Sequence, residues 1–350
     1  MPMGRAQLLE REPAEGVRLV ALELLAAAQA AARRLSDADD AEALHDFRVA
    51  VRRLRSWLRS FAPEVNDTLR KRWRRQLRAV VAETGALRDA EVMRGLVRAE
   101  QDDLSPRHRR AAEWFLSRNA PEGGPDPRGV AAQAFARLTP HLADGLSRYQ
   151  RRVGLSRRGR FGDAAAQALR SQAKVLSAAL EAVTGPEDAE RAHRARIEGK
   201  RLRYLLEPLR GATPLAEPAV ESMRVLQDLL GDLHDVHVLT AQLADAIADA
   251  AAEGARAVHR ALHAEGEDRA RAVARRGPRP GLAALDRRIR ERRDALFERL
   301  LRAWLRGGPE AKALQQGVEA VARSVEGSER ARRRTRRAGP REGRASRSSG

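Results

Sequence analysis

The chain has 350 residues, 43% of them hydrophobic, and carries 67 Lys and Arg against 48 Asp and Glu, a formal net charge of +19. The absence of cysteine excludes disulfides, thiolate metal sites, iron–sulfur clusters and cysteine nucleophiles. Aromatic residues make up only 3%, and Ala, Leu and Val fill the apolar positions, which favours helix packed on helix over sheet.

The first sixteen residues lack the basic-then-apolar layout of a signal peptide and no apolar run reaches the length of a membrane span, so a cytoplasmic protein without membrane contact is expected. Residues 1–16 read as an N-terminal extension. The helical pattern then opens at 17–35, with Ser36, Asp37 and Asp39 placed to cap the next helix. Further helices are expected at about 65–83, at 87–101 after a break at Gly85, at 106–118 and at 129–149. Pro121 to Pro127 form a loop between the last two. Gly154 to Gly162 divide the chain. Helical patterns return at about 163–183, 188–210, 217–252 and 282–306, interrupted by RRGPRPG from Arg275. Beyond Gly307, a short helix and then a disordered basic tail to 350 are expected; this segment holds 11 basic and 5 acidic residues, so most of the positive excess lies outside it.

An internal repeat organises the chain. LHDFRVAVRRLRSWLRSF from Leu44 aligns with AHRARIEGKRLRYLLEPL from Ala192, matching His45 with His193, Arg48 with Arg196, Arg52 with Lys200, Arg53 with Arg201 and Arg55 with Arg203. GALRDAEVM from Gly85 aligns with GDLHDVHVL from Gly231, and Arg78 with Arg224, in the same order and at an offset two residues shorter. The expected fold is therefore all-α. Two helical bundles, at about 17–153 and 163–306, would be related by a pseudo-two-fold axis and share a basic central surface.

His45, Arg48, Arg52, Arg55 and Arg59 recur at steps of three and four, one face of a helix, while Val51, Leu54, Leu58 and Phe61 keep the same period on another. His193, Arg196, Lys200 and Arg203 repeat the cationic stripe. Like charges spaced this way repel, so an anion should offset them. Guanidinium forks pair with phosphate oxygens, and a row of them suits a chain of phosphates. A solvated arginine face is the plain alternative for a single such helix; the duplication argues against it. His45 and His193 are either structural or neutral imidazoles that become donors once an anion is bound. His234 and His237 could share a helix face, but their repeat counterparts are Arg88 and Glu91, so a metal site is not expected. Asp89 and Asp235 read as helix-start or inter-helix salt-bridge residues.

The duplicated HxxR helices, HDFRVAVRRLRSWLRSF and HRARIEGKRLRYLLE, each followed by the Gly-x-Leu-x-Asp segment, resemble the CHAD family, the conserved-histidine α-helical domain, over roughly residues 17–306. The resemblance implies two pseudo-symmetric bundles whose basic centre binds inorganic polyphosphate, often with association to polyphosphate granules. It carries over His45, Arg48, Arg52, Arg55, His193, Arg196, Lys200 and Arg203 as the binding row, with Arg59 on the same stripe and Arg53, Arg78, Arg201 and Arg224 as second-rank candidates. Some relatives carry a triphosphate-processing tunnel domain, for which the sixteen residues before Val17 are too few. A noncatalytic module without cofactor or metal is therefore expected. The competing readings are nonspecific nucleic-acid binding, supported by charge alone, and a phosphate-metabolising enzyme, for which neither a phosphate loop nor a repeated acidic set is present. Gly199 stands where the first motif helix has Val51.

Overall fold

The computed structural model of the protein describes residues 5–37, 39–40, 42–82, 85–102, 104–119, 126–148, 159–275 and 277–326. Among them the regular elements are helical throughout: α1 (Arg5–Leu9), α2 (Pro13–Arg34), α3 (Ala43–Ser60), α4 (Ala62–Val65), α5 (Lys71–Ala82), α6 (Gly85–Gln101) and α7 (Pro106–Arg118) come first. They are followed by α8 (Pro127–Ser147), α9 (Phe161–Glu181), α10 (Ala189–Leu206), α11 (Ala216–Glu265), α12 (Glu267–Ala274), α13 (Arg279–Ala303) and α14 (Pro309–Glu326), with a 3-10 turn at Glu207–Leu209 after α10. No helix among the described residues is long and apolar enough to cross a membrane.

The apolar stripes meet in one contiguous core running from Leu8 to Val325. In the first part of the chain α2 packs on α3 and α8, and α5 on α3 and α8; in the second, α10 lies between α9 and α11, which in turn carry α14 and α13. The packing does not divide where the sequence pattern does. Helices α6 and α7 lie on α13, where buried Glu100 receives Arg288 at 3.2 Å and Arg292 at 3.1 Å, and Arg118 reaches across to Glu253 of α11 at 2.6 Å.

Three boundaries differ from expectation. Residues just before Val17 are packed: Leu8 and Leu9 are buried, and the Phe161 amide donates to the Arg11 carbonyl at 2.7 Å. The boundary drawn at 306 falls short of α14, whose Leu314, Val318, Val321, Ala322 and Val325 form a helical stripe buried in the core. Arg170 of α9 fixes this helix by pairing with Glu319 at 2.9 Å and Glu326 at 2.6 Å. Residues 327–350, expected to be disordered, lie outside the described residues. Helix α11 continues past 252 to Glu265, with α12 and α13 packed on it and an alanine-rich sequence that suits a helix. The cap expected from Ser36, Asp37 and Asp39 is not made: α3 starts several residues later, and Asp40 instead accepts from the Glu42 amide at 3.1 Å while pairing with Arg34 at 2.7 Å.

Candidate anion-binding cavity

Helix α3 is amphipathic in the expected register: Val51, Leu54, Leu58 and Phe61 are buried, and Trp57 joins them with its indole N–H donating to the Val17 carbonyl at 2.9 Å. Rotating α3 to satisfy that core leaves Arg52, Arg55 and Arg59 on the side that faces α10. From α10 come His193, Arg196, Lys200 and Arg201. These seven side chains, with Ser56, Ile197 and Tyr204, line a cavity of about 240 Å³. None of the ten is acidic.

Arg55 and Lys200 there are poorly compensated. Burial holds the Arg55 guanidinium below its usual pKa, and Arg52, Arg78, Arg59 and Arg201 push the same way. Lys200 is brought down to about 7 by burial and then by Arg196, Arg52 and Arg203, with only Asp235 opposing. A lysine that nears half-neutrality at pH 7 reports a strongly positive potential in a partly dry space.

Beside this row, His193 Nδ1 lies 3.3 Å from His234 Nδ1 of α11, the rings 4.5 Å apart between centroids. One ring donates and the other accepts, so at most one of these two facing nitrogens can carry a proton while the contact lasts. Both pKa values are depressed, His193 by burial, Arg196 and Lys200, and His234 to about 4 by burial and then Arg196, His193, Lys200 and His237. His237 points elsewhere and donates from Nε2 to the Pro186 carbonyl at 2.6 Å. Among the described residues no group of three or more His, Asp or Glu side chains could hold a metal.

Not every residue expected in the row reaches the cavity. His45 is exposed near the start of α3, and Arg48 is buried away from the lining. Arg53 turns to Glu207 at 2.8 Å, as does Arg203 at 3.5 Å, the latter also lying 5.2 Å from the Tyr204 ring. Arg201 lines the cavity while paired with Glu198 at 2.5 Å, itself held by Gln172 at 2.9 Å. Arg224 pairs with Glu221 at 2.8 Å and is absent from the lining. Asp235 is no helix-start residue, since α11 begins nineteen residues earlier at Ala216; it acts across helices on Lys200. The Asp89 side chain lies outside the described residues. Sequence reasoning missed Ser56, Ile197 and Tyr204 and weighed His234 only as a metal ligand; His234 lacks a histidine partner in the repeat, so only its packing against α10 places it beside His193.

Fold and cavity together define an all-α domain in which two neighbouring helices turn cations toward one shared space. The CHAD domain family model matches residues 20–244, and the chain belongs to that family. It is also similar to a solved structure, the crystal structure of the CHAD domain from the plant Ricinus communis. The two are 20% identical, with 89% of this chain and 93% of that one covered and a TM-score of 0.52, a likeness of fold. No curated protein matches the chain.

Proposed function

We propose that this CHAD-domain protein binds inorganic polyphosphate, without turning it over, in the cavity between α3 and α10, and that in the cell it is cytoplasmic and associates with polyphosphate granules. The observation that carries the reading is the acid-free lining: Arg52, Arg55, Arg59, Arg196 and Lys200 converge with no carboxylate among the ten lining residues. Such a cluster is stabilised by a polyanion that offers several phosphate groups in succession. The two rows are read as descendants of one duplicated helix, which accounts for their meeting at a single site. A nucleic-acid reading has less support, because the cavity offers one aromatic ring, Tyr204, and no stacking platform.

The test is titration with long-chain polyphosphate at two salt concentrations, with duplex DNA as competitor and phosphate release followed in the presence of magnesium. Polyphosphate should bind tightly, with affinity falling steeply as salt rises, resist displacement by DNA and release no phosphate. The double variant Arg55→Glu, Arg196→Glu should lose binding by about a hundredfold or more. Equal affinity for DNA, unchanged in the variant, would reduce the protein to a generic polycation, and turnover that depends on His193 would make it an enzyme.

A further inference from the structure

The two segments that the repeat aligns, residues 71–82 and 217–228, differ in charge. Helix α5 packs against α3 and carries Lys71, Arg72, Arg74, Arg75 and Arg78 with no acidic residue. Its core face is formed by Trp73, Leu77 and Val80. Lys71, Arg74, Arg75 and Arg78, at steps of three, one and three, therefore share the outward face; Lys71, Arg75 and Arg78 are exposed and Arg74 is half-buried. Among the described residues none of the four forms an ion pair. Arg72 is set apart, lying 4.1 Å over Trp73, which also stacks on the His141 ring. The segment of α11 that aligns with α5 by the Arg78–Arg224 offset is residues 217–228, and its charge is opposite. It holds Glu217, Glu221 and Asp228 against one cation, Arg224, which Glu221 neutralises, while Glu217 is taken up by Arg210.

Arg78 joins the outer row to the inner one. It stands close enough to Arg55 to help depress that guanidinium, and the row from Arg78 back to Lys71 runs about 10 Å along the helix at 1.5 Å per residue. A polyanion lying on Arg55 and Arg59 meets, on the α5 side, a row of cations with no ion pair among the described residues; the aligned segment 217–228 carries no such row.

We infer that α5 is a one-sided extension of the anion track, so that a polyphosphate chain leaves the cavity past Arg78, runs along Arg75 and Arg74 to Lys71, and long chains are taken in preference to short ones. This rests on the polyphosphate reading above. Tripolyphosphate occupies the cavity alone and makes none of the α5 contacts; a long chain makes both sets at once, the second at high effective concentration.

The full-length protein is titrated with tripolyphosphate and with long-chain polyphosphate, as wild type, as Lys71→Gln, Arg74→Gln, Arg75→Gln, and as a control that removes three exposed arginines elsewhere, Arg256→Gln, Arg260→Gln, Arg299→Gln. The expected result is a loss of about tenfold or more for the long chain in the α5 variant alone, with a shallower salt dependence by about one unit of log–log slope per lost contact. Its affinity for tripolyphosphate should stay within about threefold of wild type, which also shows that the cavity is still folded. Unchanged long-chain affinity, equal losses for both ligands, or an equal loss in the control would overturn the inference while leaving the cavity as the site. If the wild type binds neither ligand, the polyphosphate reading itself fails.

Discussion

His193 of α10 and His234 of α11 meet Nδ1 to Nδ1 at 3.3 Å, placing a neutral imidazole pair beside the cations of the cavity. Both rings are held below their ordinary pKa, His234 at about 4, with burial and Arg196 the first two causes for each. The groups facing the pair are Arg196 and Lys200 from α10 and His237 from α11; Asp235 acts on Lys200.

A polyanion should reverse these shifts, because phosphate oxygens favour the charged forms. A group whose pKa is higher in the complex than in the free protein takes up a proton on binding, and affinity falls as pH rises between the two values. For His234 that window opens at about 4 and for Lys200 at about 7. Polyphosphate affinity is therefore expected to decrease steadily from pH 5 to pH 9. Calorimetry at pH 7.5 in buffers of different ionisation enthalpy should show net proton uptake, reduced in Lys200→Met. A binding heat independent of the buffer would sink this account.

Lys200 itself should cost the free protein stability. Its folded pKa of about 7 lies below the ordinary 10.5, so the unfolded chain binds more protons and stability rises with pH between those values. At pH 7 and below the penalty is close to full; above about 10 it is gone. Lys200→Met should raise the unfolding free energy at pH 7 by about 1–2 kcal/mol, after allowing for screening of the nominal cost, and much less at pH 10. Denaturant unfolding at the two pH values reads this directly. An equal effect at both would assign the change to packing.

Much of this was legible in the sequence. The four-and-three spacing of Val51, Leu54, Leu58 and Phe61 against Arg52, Arg55 and Arg59 set the orientation of α3, because a helix has one rotation that buries the first set and presents the second. What spacing could not say is which cations already have partners. Arg53 and Arg203 share a face with the binding row in a flat reading, yet Glu207, just past the end of α10, takes both. His234 was hidden for the opposite reason: it belongs to α11, forty-one residues away, and only the packing of α10 on α11 brings it to His193. A short helix beyond Gly307 was foreseen, but the basic composition that follows it hid that its apolar stripe belongs to the core.

Arg18 is a cation that serves the fold. It is almost fully buried in α2 and donates to the Asp67 carboxylate at 2.5 Å, Thr68 Oγ1 at 2.7 Å, the Gly145 carbonyl at 3.0 Å and the Glu64 carbonyl at 3.1 Å. It thereby ties α2 to α4, to the segment after it and to α8. Arg18→Ala removes several charge-assisted hydrogen bonds and leaves a cavity, so a loss of about 3 kcal/mol is expected. Urea unfolding should show it. Polyphosphate affinity under native conditions should be unchanged, since Arg18 is not among the residues lining the cavity; a matching loss of binding would mean that α2 sets the position of α3 more tightly than their packing suggests.

Gly199 occupies the place in α10 that Val51 holds in α3, and its surroundings decide what can replace it. A Cβ built there would meet Met223 Cε at 3.3 Å, Leu176 Cδ1 at 3.8 Å and Gln227 Cγ at 4.0 Å. The tightest neighbour is the end of a flexible side chain, which can move by a few tenths of an ångström without shifting backbone. Alanine also removes the entropic cost of a mid-helix glycine, about 0.5–1 kcal/mol. Gly199→Ala should therefore be neutral to stabilising by up to about 1 kcal/mol. Gly199→Val adds two further methyls where a Cβ already meets Met223 and Leu176, and should destabilise by about 1–3 kcal/mol. The pair of variants is read by urea unfolding. If alanine costs as much as valine, Met223 cannot yield and the close approach of α10 to α11 is itself the reason for the glycine.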